Sequence, residues 1–272
     1  MSDAYFAIDG IESLSAYLKE RGIALWDFRR LDSTSSEARR RAGHVSTPAC
    51  FLADEQTGGR GRMGRSFFSP AKTGLYLSVL LARHAPTSDM GLTAAAAVAA
   101  RRAIRAVTGI EVGIKWVNDL YLGERKIAGI LCESFAVEGQ RFAVVGIGIN
   151  LYTEDFPEEL QNKAGSLRPR QGLRHALAAA LVTELCSLVE QLPRRDFMSE
   201  YREAAIATGR RVRFIENGIE HRGIAMTVEE DGALPVRLTD GRLHRLYGGE
   251  ISLLVEKENE NNEKGKETDH DS

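Results

Sequence analysis

The chain has 272 residues, of which 43% are hydrophobic and 27% are charged, and its formal net charge is −2. These proportions are typical of globular proteins and exclude a collagen-like or wholly disordered chain. The near-zero charge argues against a polybasic nucleic-acid or anionic-membrane protein. At roughly 100–200 residues per domain, the length predicts one large domain and a smaller one.

The chain ends and the cysteines predict a cytoplasmic protein without a membrane partner. Three cysteines without a CxxC pair favour neither a disulfide framework nor a zinc site. Residues 1–10 lack the basic and apolar regions of a signal peptide, and no segment approaches ~18 consecutive apolar residues. Residues 256–272 contain seven acids, three lysines and no hydrophobic side chain, which predicts a disordered tail of net charge −4 and leaves +2 on the remainder.

Apolar periodicity and turn residues predict the secondary structure in chain order. The predicted elements are a helix over 11–21, a strand over 23–31, a helix that the cap-rich segment 32–37 opens, strands over 49–53 and 74–82, a helix over 88–107 capped by Ser88, a strand over 112–116, a β-hairpin over 119–133, a strand over 142–149 and helices over 172–192 and 196–208. Between 210 and 255, short strands alternate with Asn-Gly and Asp-Gly turns, as in a small β-barrel. We therefore predict domains over 1–208 and 209–255, followed by the tail over 256–272.

A glycine–arginine loop is the first candidate functional segment. Residues 58–65 contain four glycines and three arginines, and Gly59, Gly61 and Gly64 match the pattern G-x-G-x-x-G. That fingerprint and the similar P-loop need a helix directly afterwards, whereas Phe-Phe-Ser-Pro at 67–70 leads into a strand, so we reject both. Glycines permit close backbone approach and arginine forks suit phosphate or carboxylate. The loop is either an anion clamp, a solvated basic loop or an RGG-like RNA contact.

The predicted hairpin over 119–133 is the second candidate. A two-residue turn at 123–124 places Tyr121 opposite Lys126, and Asp119 becomes a diagonal neighbour of Lys126 on the same face, at ~7–8 Å. A carboxylate and an ammonium at that separation can flank a phosphate and its Mg²⁺. A three-residue turn would move Lys126 to the other face, and an exposed lysine on an edge hairpin is the alternative interpretation.

The third candidate segment is Gly146-Ile147-Gly148-Ile149-Asn150, at the end of the predicted strand over 142–149. The run is nearly all apolar, which fits a central strand buried on both faces. Its glycines mark close approach of either a ligand or a tightly packed neighbouring element.

Together these segments resemble the biotin protein ligases, in the order of that family and over about residues 28–255. The matching segments are Asp32-Ser33-Thr34-Ser35, with Ser35 in place of the family's Asn; Gln56 and Gly59-Arg60-Gly61-Arg62-Met63-Gly64-Arg65, which resemble its GRGRxGR loop; Lys115-Trp116-Val117-Asn118-Asp119, with Val117 in place of Pro; Lys126-Ile127-Ala128-Gly129-Ile130-Leu131; Gly146-Ile147-Gly148-Ile149-Asn150; and Gly248-Gly249-Glu250-Ile251-Ser252-Leu253.

The resemblance implies an α+β fold, in which a class II synthetase-like biotin/lipoate ligase domain with a mixed β-sheet covered by helices precedes a small SH3-like β-barrel. It also implies a two-step reaction that uses ATP and Mg²⁺. The biotin carboxylate attacks the α-phosphate to give biotinoyl-5′-AMP and pyrophosphate. A lysine of a biotin carboxyl carrier protein, from acetyl-CoA carboxylase or a similar carboxylase, then attacks the acyl-adenylate.

The resemblance also implies site roles. Lys126 would stabilise charge on the biotin carboxylate and the α-phosphate, Arg62 would close over the labile anhydride and exclude water, and Asp119 would hold Mg²⁺ or orient Lys126. The expected biotin- and adenylate-binding residues are Ser33, Thr34, Ser35, Gln56, Gly59, Arg60, Gly61, Arg62, Arg65, Trp116, Asn118, Lys126, Gly129, Gly148 and Asn150.

The resemblance also leads to expectations about oligomeric state and DNA binding. The resemblance suggests a homodimer formed by side-by-side catalytic sheets. Repressor members of the family carry an N-terminal winged-helix domain, but only about 27 residues precede the first catalytic strand here, so we expect no DNA binding.

Three alternative functions stay open at this point. A lipoate or octanoate ligase-type acyltransferase should lack both the arginine loop and the C-terminal barrel. A non-catalytic biotin sensor would not need Lys126. An RNA-binding module needs stacking aromatics beside the arginines, and Phe67 and Phe68 keep that alternative open.

Overall fold

Two β-sheets, with helices packed around the larger one, make up the part of the chain that the computed structural model describes, residues 3–82 and 89–254. The helices are α1 (Asp3–Phe6), α2 (Ile11–Lys19), α3 (Thr34–Arg41), α4 (Asp89–Thr108), α5 (Arg174–Glu190) and α6 (Met198–Ala204). The larger sheet contains β1 (Ala24–Phe28), β2 (Ala49–Ala53), β3 (Gly74–Ala82), β4 (Gly113–Lys115), β5 (Asp119–Leu122), β6 (Arg125–Val137) and β7 (Gln140–Asn150). The smaller sheet contains β8 (Arg211–Glu216), β9 (Ile219–Ala225), β10 (Leu234–Leu238), β11 (Leu243–Leu246) and β12 (Ile251–Leu253).

The larger sheet is mixed, as the resemblance implies. Its strand order is β1-β2-β3-β7-β6-β5-β4. The β1–β2 pair is parallel and every other pair in this sheet is antiparallel. The hairpin strand β6 therefore lies beside the central strand β7, with β5 on its other side, and this brings the second and third candidate segments together.

Alternating side chains of β7 serve the two faces of the sheet. Ile147 and Ile149 belong to the main hydrophobic core, which also contains the buried alanines of α4 and α5. Val144 belongs to a smaller core with Ala38 of α3 on the opposite face. Further along β7, this second face carries glycines instead of large side chains, and a cavity opens there beside the first turn of α3.

The second domain is an antiparallel sheet with the order β11-β10-β9-β8-β12. Among the described residues, β11 and β12 stand at its two ends and no ladder joins them, so the predicted barrel is observed as an SH3-like sheet. The sequence prediction of a helix up to 208 was wrong by one turn. After α6, Ile206 N donates to Ile114 O at 2.9 Å, because this segment extends the edge of β4 instead.

Several sequence predictions concern the chain ends and the thiols. Ser88 and the predicted tail over 256–272 lie outside the described residues. Within the described ranges, no helix has the length and apolar content needed to cross a bilayer. Within the described ranges none of the three cysteines forms a disulfide, and Cys50 is buried, whereas Cys132 and Cys186 are only partly buried.

Candidate active site

A cavity of about 390 Å³ lies between the glycine–arginine loop, the β5–β6 hairpin, the end of β7 and the smaller sheet. Most of the residues that sequence reasoning selected line it. These are Ser33, Thr34, Ser35, Gln56, Arg60, Gly61, Arg62, Arg65, Trp116, Asn118, Asp119, Lys126, Gly129 and Gly148. Two predicted binding residues, Gly59 and Asn150, do not line the cavity.

One end of the cavity is polar and uncharged. Ser33 caps α3, and its Oγ accepts from Ser36 N at 3.4 Å. Thr34 donates from N and Oγ1 to Gln56 Oε1 at 2.9 and 3.1 Å. The Ser78 hydroxyl lies 2.9 Å from Ser35 Oγ. Because these groups include both donors and acceptors but no charge, this end suits an uncharged polar head group.

Two glycines of β7 make room for side chains that enter the site. A Cβ at Gly146 would lie 2.4 Å from Ser35 Oγ, and a Cβ at Gly148 would lie 2.4 Å from the Phe67 ring. Phe67 packs edge-on against Tyr76, with the ring centroids 6.4 Å apart. Gly146 therefore leaves room for a serine in the first turn of α3, as tight packing of a helix on the sheet requires, and Gly148 leaves room for an aromatic side chain of the site. Sequence reasoning did not select Phe67, because nothing local indicates that its ring folds back over β7.

The hairpin has the two-residue turn on which the geometric prediction depended. Leu122 lies opposite Arg125, Tyr121 lies opposite Lys126, and a bulge then shifts the register. Lys126 Nζ contacts Asp119 Oδ1 at 2.7 Å, so the long lysine side chain spans the diagonal backbone separation.

The backbone of Lys126 is also held firmly. Its N–H donates to Lys163 O, and its carbonyl accepts from Gly165 N, both at 2.9 Å. This pairing fixes the start of β6 and so the direction from which the ammonium enters the cavity.

The glycine–arginine loop folds back on itself. Met63 and Gly64 have φ values of +56° and +74°, and Gly61 N donates to Arg65 O at 2.7 Å. A Cβ at Gly59 would lie 2.4 Å from Phe67 O. Gly59 was predicted to bind ligand, but the structure gives it a different role, which is to let the two arms of the loop approach each other.

Two loop arginines bind acceptors of the domain that contains the larger sheet. Arg60 forms a bidentate pair with Glu133 of β6, at 2.8 and 2.9 Å. Arg62 Nη1 donates to Asn118 Oδ1 at 3.1 Å. Asn118 in turn donates to Ile130 O at 2.8 Å, so this arginine is attached to the hairpin.

The third arginine connects the loop to the smaller sheet. Arg65 lies 2.5 Å from Glu250, and Arg62 also donates to Gly249 O at 3.3 Å. The hydrogen bond from Arg65 holds the pKa of Glu250 below its usual value and raises the pKa of Arg65. The Gly-Gly-Glu segment of the second domain is thus part of the cavity wall. Sequence reasoning matched this segment to the family but did not assign Glu250 to the site.

Lys115 and Tyr121 were also missed as site residues. Lys115 lies directly opposite Asp119 in the β4–β5 ladder, and its Nζ lies 3.4 Å from Tyr121 Oη. Burial lowers the pKa of Lys115. Burial, with a smaller contribution from Asp119, raises the pKa of Tyr121 to about 12. The available signal was the motif itself, because Lys115 lies two residues before Val117 on the same segment.

Two predicted site residues serve the framework. Trp116 is 3% exposed, and its Nε1 donates to Gly232 O in the second domain at 3.0 Å. Asn150 is buried, and its Nδ2 donates to Gly165 O at 3.0 Å. Asn150 therefore fixes the segment that holds Lys126.

Comparisons with known proteins agree with this architecture. The model of the biotin/lipoate A/B protein ligase family matches residues 28–150, and that of the biotin protein ligase C terminal domain matches residues 208–254. The bifunctional ligase/repressor BirA of Escherichia coli is 33% identical over 231 residues, which cover 82% of this chain and 72% of that protein.

Two further relatives cover most of the chain. The biotin–[acetyl-CoA-carboxylase] ligase of Mycobacterium tuberculosis is 32% identical over 208 residues, 72% of this chain and 76% of that protein. The biotin protein ligase from Aquifex aeolicus, solved in complex with biotin and ATP, superposes with a TM-score of 0.74 at 26% identity and covers 86% of this chain and 99% of that one. On these grounds the chain belongs to the biotin protein ligase family.

Proposed function

We propose that this protein activates biotin with ATP as biotinoyl-5′-AMP and then transfers the biotinoyl group to a lysine of a biotin carboxyl carrier protein. The observation that carries the proposal is the Lys126–Asp119 pair at 2.7 Å, in a cavity with an uncharged polar end and three arginines along its wall. The relatives named above support it, since one was solved with biotin and ATP and another is named for acetyl-CoA carboxylase.

The residues divide the reaction between them. Thr34, Ser35 and Gln56 offer neutral hydrogen bonds to the ureido head of biotin. Lys126 enters between this end and the arginines, where its ammonium stabilises negative charge on the carboxylate and the α-phosphate as they react. Arg62 closes over the mixed anhydride and limits hydrolysis.

Mg²⁺ fits the cavity as a companion of the nucleotide. Among the described residues, no cluster of three or more histidine, cysteine or carboxylate side chains could hold a metal by itself. Mg²⁺ commonly takes one or two carboxylates together with substrate phosphates, and Asp119 and Glu250 are the acidic side chains that line the cavity. Asp119, already paired with Lys126, is our candidate ligand. Mg²⁺ would neutralise phosphate charge there.

The structure reduces support for the alternatives. Phe67 packs against Tyr76, and Phe68 packs against Phe156 at 6.2 Å between ring centroids, so neither ring is a free stacking platform for RNA. The arginine loop and the second domain, which a lipoate or octanoate ligase should lack, are both present. A homodimer, a cytoplasmic location and the absence of DNA binding remain our predictions.

The decisive experiment incubates the protein with biotin, MgATP and an apo carrier domain, and weighs the carrier by mass spectrometry. We expect the mass to increase by one biotinoyl group on one lysine. Lipoate and octanoate in place of biotin serve as the competing substrates, and omission of ATP serves as the blank. A folded protein that leaves the carrier mass unchanged, or that prefers lipoate or octanoate, would contradict the proposal.

A further inference from the structure

We propose that Lys115, together with Arg65, forms the subsite for the pyrophosphate that leaves ATP, and that Glu250 is the counter-ion which this pyrophosphate displaces. The inference rests on the proposed ligase function and adds a leaving-group site to it. The side chains concerned come from both domains, so the subsite is complete only when the smaller sheet covers the larger one.

The register of the larger sheet places Lys115 at one end of a row of site residues. In the backbone register of four successive strands, Lys115 lies opposite Asp119, Asp119 lies opposite Gly129, and Gly129 lies opposite Gly148. Lys126 Nζ sits over Gly129, 3.3 Å from where its Cβ would be. With strands spaced about 4.8 Å apart, the backbone of Lys115 lies about 10 Å from that point.

This row gives the cavity a direction. The neutral hydroxyls that suit the ureido head lie beside β3, on the opposite side of Lys126 from Lys115. A nucleotide whose α-phosphate meets Lys126 must place its β- and γ-phosphates away from the incoming biotin, because the attacking and leaving oxygens are roughly in line in such displacements. The leaving pyrophosphate therefore points towards β4, where Lys115 lies.

Charge pairing at this end leaves Lys115 without a carboxylate of its own. Asp119 pairs with Lys126 at 2.7 Å, and Glu250 pairs with Arg65 at 2.5 Å. Lys115 Nζ contacts the Tyr121 hydroxyl at 3.4 Å, and no carboxylate of the described residues lies within 4.0 Å of it. Lys115 is partly buried, and an ammonium that is shielded from water without a carboxylate beside it is less stable than a paired one. A bound polyanion would supply that partner.

Glu250 occupies the position where the phosphate oxygens are needed. Its carboxylate bonds Arg65 and acts electrostatically on both Lys115 and Lys126. When a biotin carboxylate oxygen bonds the α-phosphorus, the bond to the bridging oxygen breaks, and the electron pair leaves with the pyrophosphate. Lys115 and Arg65 can stabilise the charge that builds up on this leaving group.

The test measures Lys115→Gln and Lys115→Arg in two half-reactions. The control variant is Lys19→Gln, which removes an exposed lysine at the end of α2. The first half-reaction is biotin-dependent exchange of labelled pyrophosphate into ATP. The second is single-turnover transfer from preformed biotinoyl-5′-AMP to an apo carrier domain, which involves no pyrophosphate. Loss of one charge-assisted contact, worth about 1.5–3 kcal/mol, corresponds to roughly a 10- to 100-fold change in affinity.

For Lys115→Gln we expect the pyrophosphate concentration at half-maximal exchange to rise about tenfold or more, whereas Lys115→Arg restores it and the transfer rate is unchanged. Glu250→Gln should lower that concentration, because the competing carboxylate is gone. Unchanged pyrophosphate affinity in Lys115→Gln, or an equal loss in the transfer step, would overturn the assignment. A higher half-maximal concentration in Glu250→Gln would overturn the role of Glu250. A wild-type protein without biotin-dependent exchange would instead refute the ligase function itself.

Discussion

Lys126 Nζ and Asp119 Oδ1 lie 2.7 Å apart, across two strands of a hairpin whose bulge brings Asp119 opposite Gly129. The pair is partly shielded, with side-chain exposures of 34% for Lys126 and 18% for Asp119. The carboxylate thus sets the direction of the ammonium, while enough of the ammonium remains open to meet a substrate. Lys126 should act on the reacting atoms, and Asp119 should orient Lys126 in addition to its proposed role as a ligand of Mg²⁺.

This difference between the two residues can be measured. Lys126→Ala should lower the rate of biotin-dependent ATP–pyrophosphate exchange by about 100-fold or more, because an electrostatic stabiliser of the transition state is lost. Asp119→Asn should lower it less, about tenfold, since the ammonium is retained. The free energy of unfolding of each variant, from urea denaturation, should stay within about 1 kcal/mol of the wild type. Unchanged exchange in Lys126→Ala would remove this lysine from the mechanism.

Gly148→Ala should impair biotin binding by steric means. The added Cβ would lie 2.4 Å from the Phe67 ring, so the ring must move within the cavity. We expect the Kd for biotin, measured by calorimetry, to rise about tenfold, because over-packing of this kind typically costs 1–3 kcal/mol. Gly10→Ala is the matched control, because nothing lies within 4 Å of a Cβ at that position. Equal biotin affinities in the two variants would contradict this account of the glycine.

Tyr201→Phe should destabilise the fold without any change in site chemistry. The Tyr201 hydroxyl, on α6, donates to Val117 O at 3.0 Å in a buried environment. Loss of that donor leaves a buried carbonyl unsatisfied, which costs about 1–3 kcal/mol in the free energy of unfolding. Tyr152→Phe is the comparison, since its hydroxyl donates to Arg170 O at the same distance but in an exposed position, and it should cost less than about 1 kcal/mol. Urea unfolding of both variants measures the difference, and equal losses would contradict the prediction.

The Asp32–Arg40 pair predicts a pH dependence of stability. A bidentate hydrogen bond from Arg40, at 2.8 and 2.9 Å, lowers the pKa of Asp32 to about 2. Because the folded-state pKa lies below the unfolded value of 3.8, the contribution of the pair is complete above about pH 4 and is lost as the pH falls towards 2. The difference in unfolding free energy between the wild type and Asp32→Asn should therefore shrink over that interval. A constant difference from pH 6 to pH 2 would contradict the assignment.

Local sequence patterns were sufficient for much of the framework. The bounds of β2 and β3 coincide with the predicted strands over 49–53 and 74–82, because each is a continuous apolar run between turn residues. The two-residue turn correctly predicted Tyr121 opposite Lys126, since turn length sets the register of the two strands. The bulge that then places Asp119 opposite Gly129 has no signal in the local sequence.

The missing site residues depend on contacts that no local pattern shows. Glu250 reaches the cavity only because the second domain folds over the first, and Phe67 only because the glycine–arginine loop doubles back. Lys115 belongs to a matching motif, but the sequence does not show that its side chain lines the cavity. Gly59 and Asn150 belong to matching motifs but do not line the cavity, and their contacts support the loop and the segment after β7.

The alternation along β7 has a consequence for how this strand tolerates change. Ile147 and Ile149 pack in the main core, whereas Gly146 and Gly148 face the cavity. Substitution at the isoleucines is therefore limited by core packing, and substitution at the glycines is limited by the shape of the site. A saturation scan of 146–149 should therefore divide by parity: substitutions at the isoleucines reduce the amount of folded protein, and substitutions at the glycines reduce turnover of protein that is still abundant. One strand thus lets the specificity of the site evolve while the packing of the core is conserved.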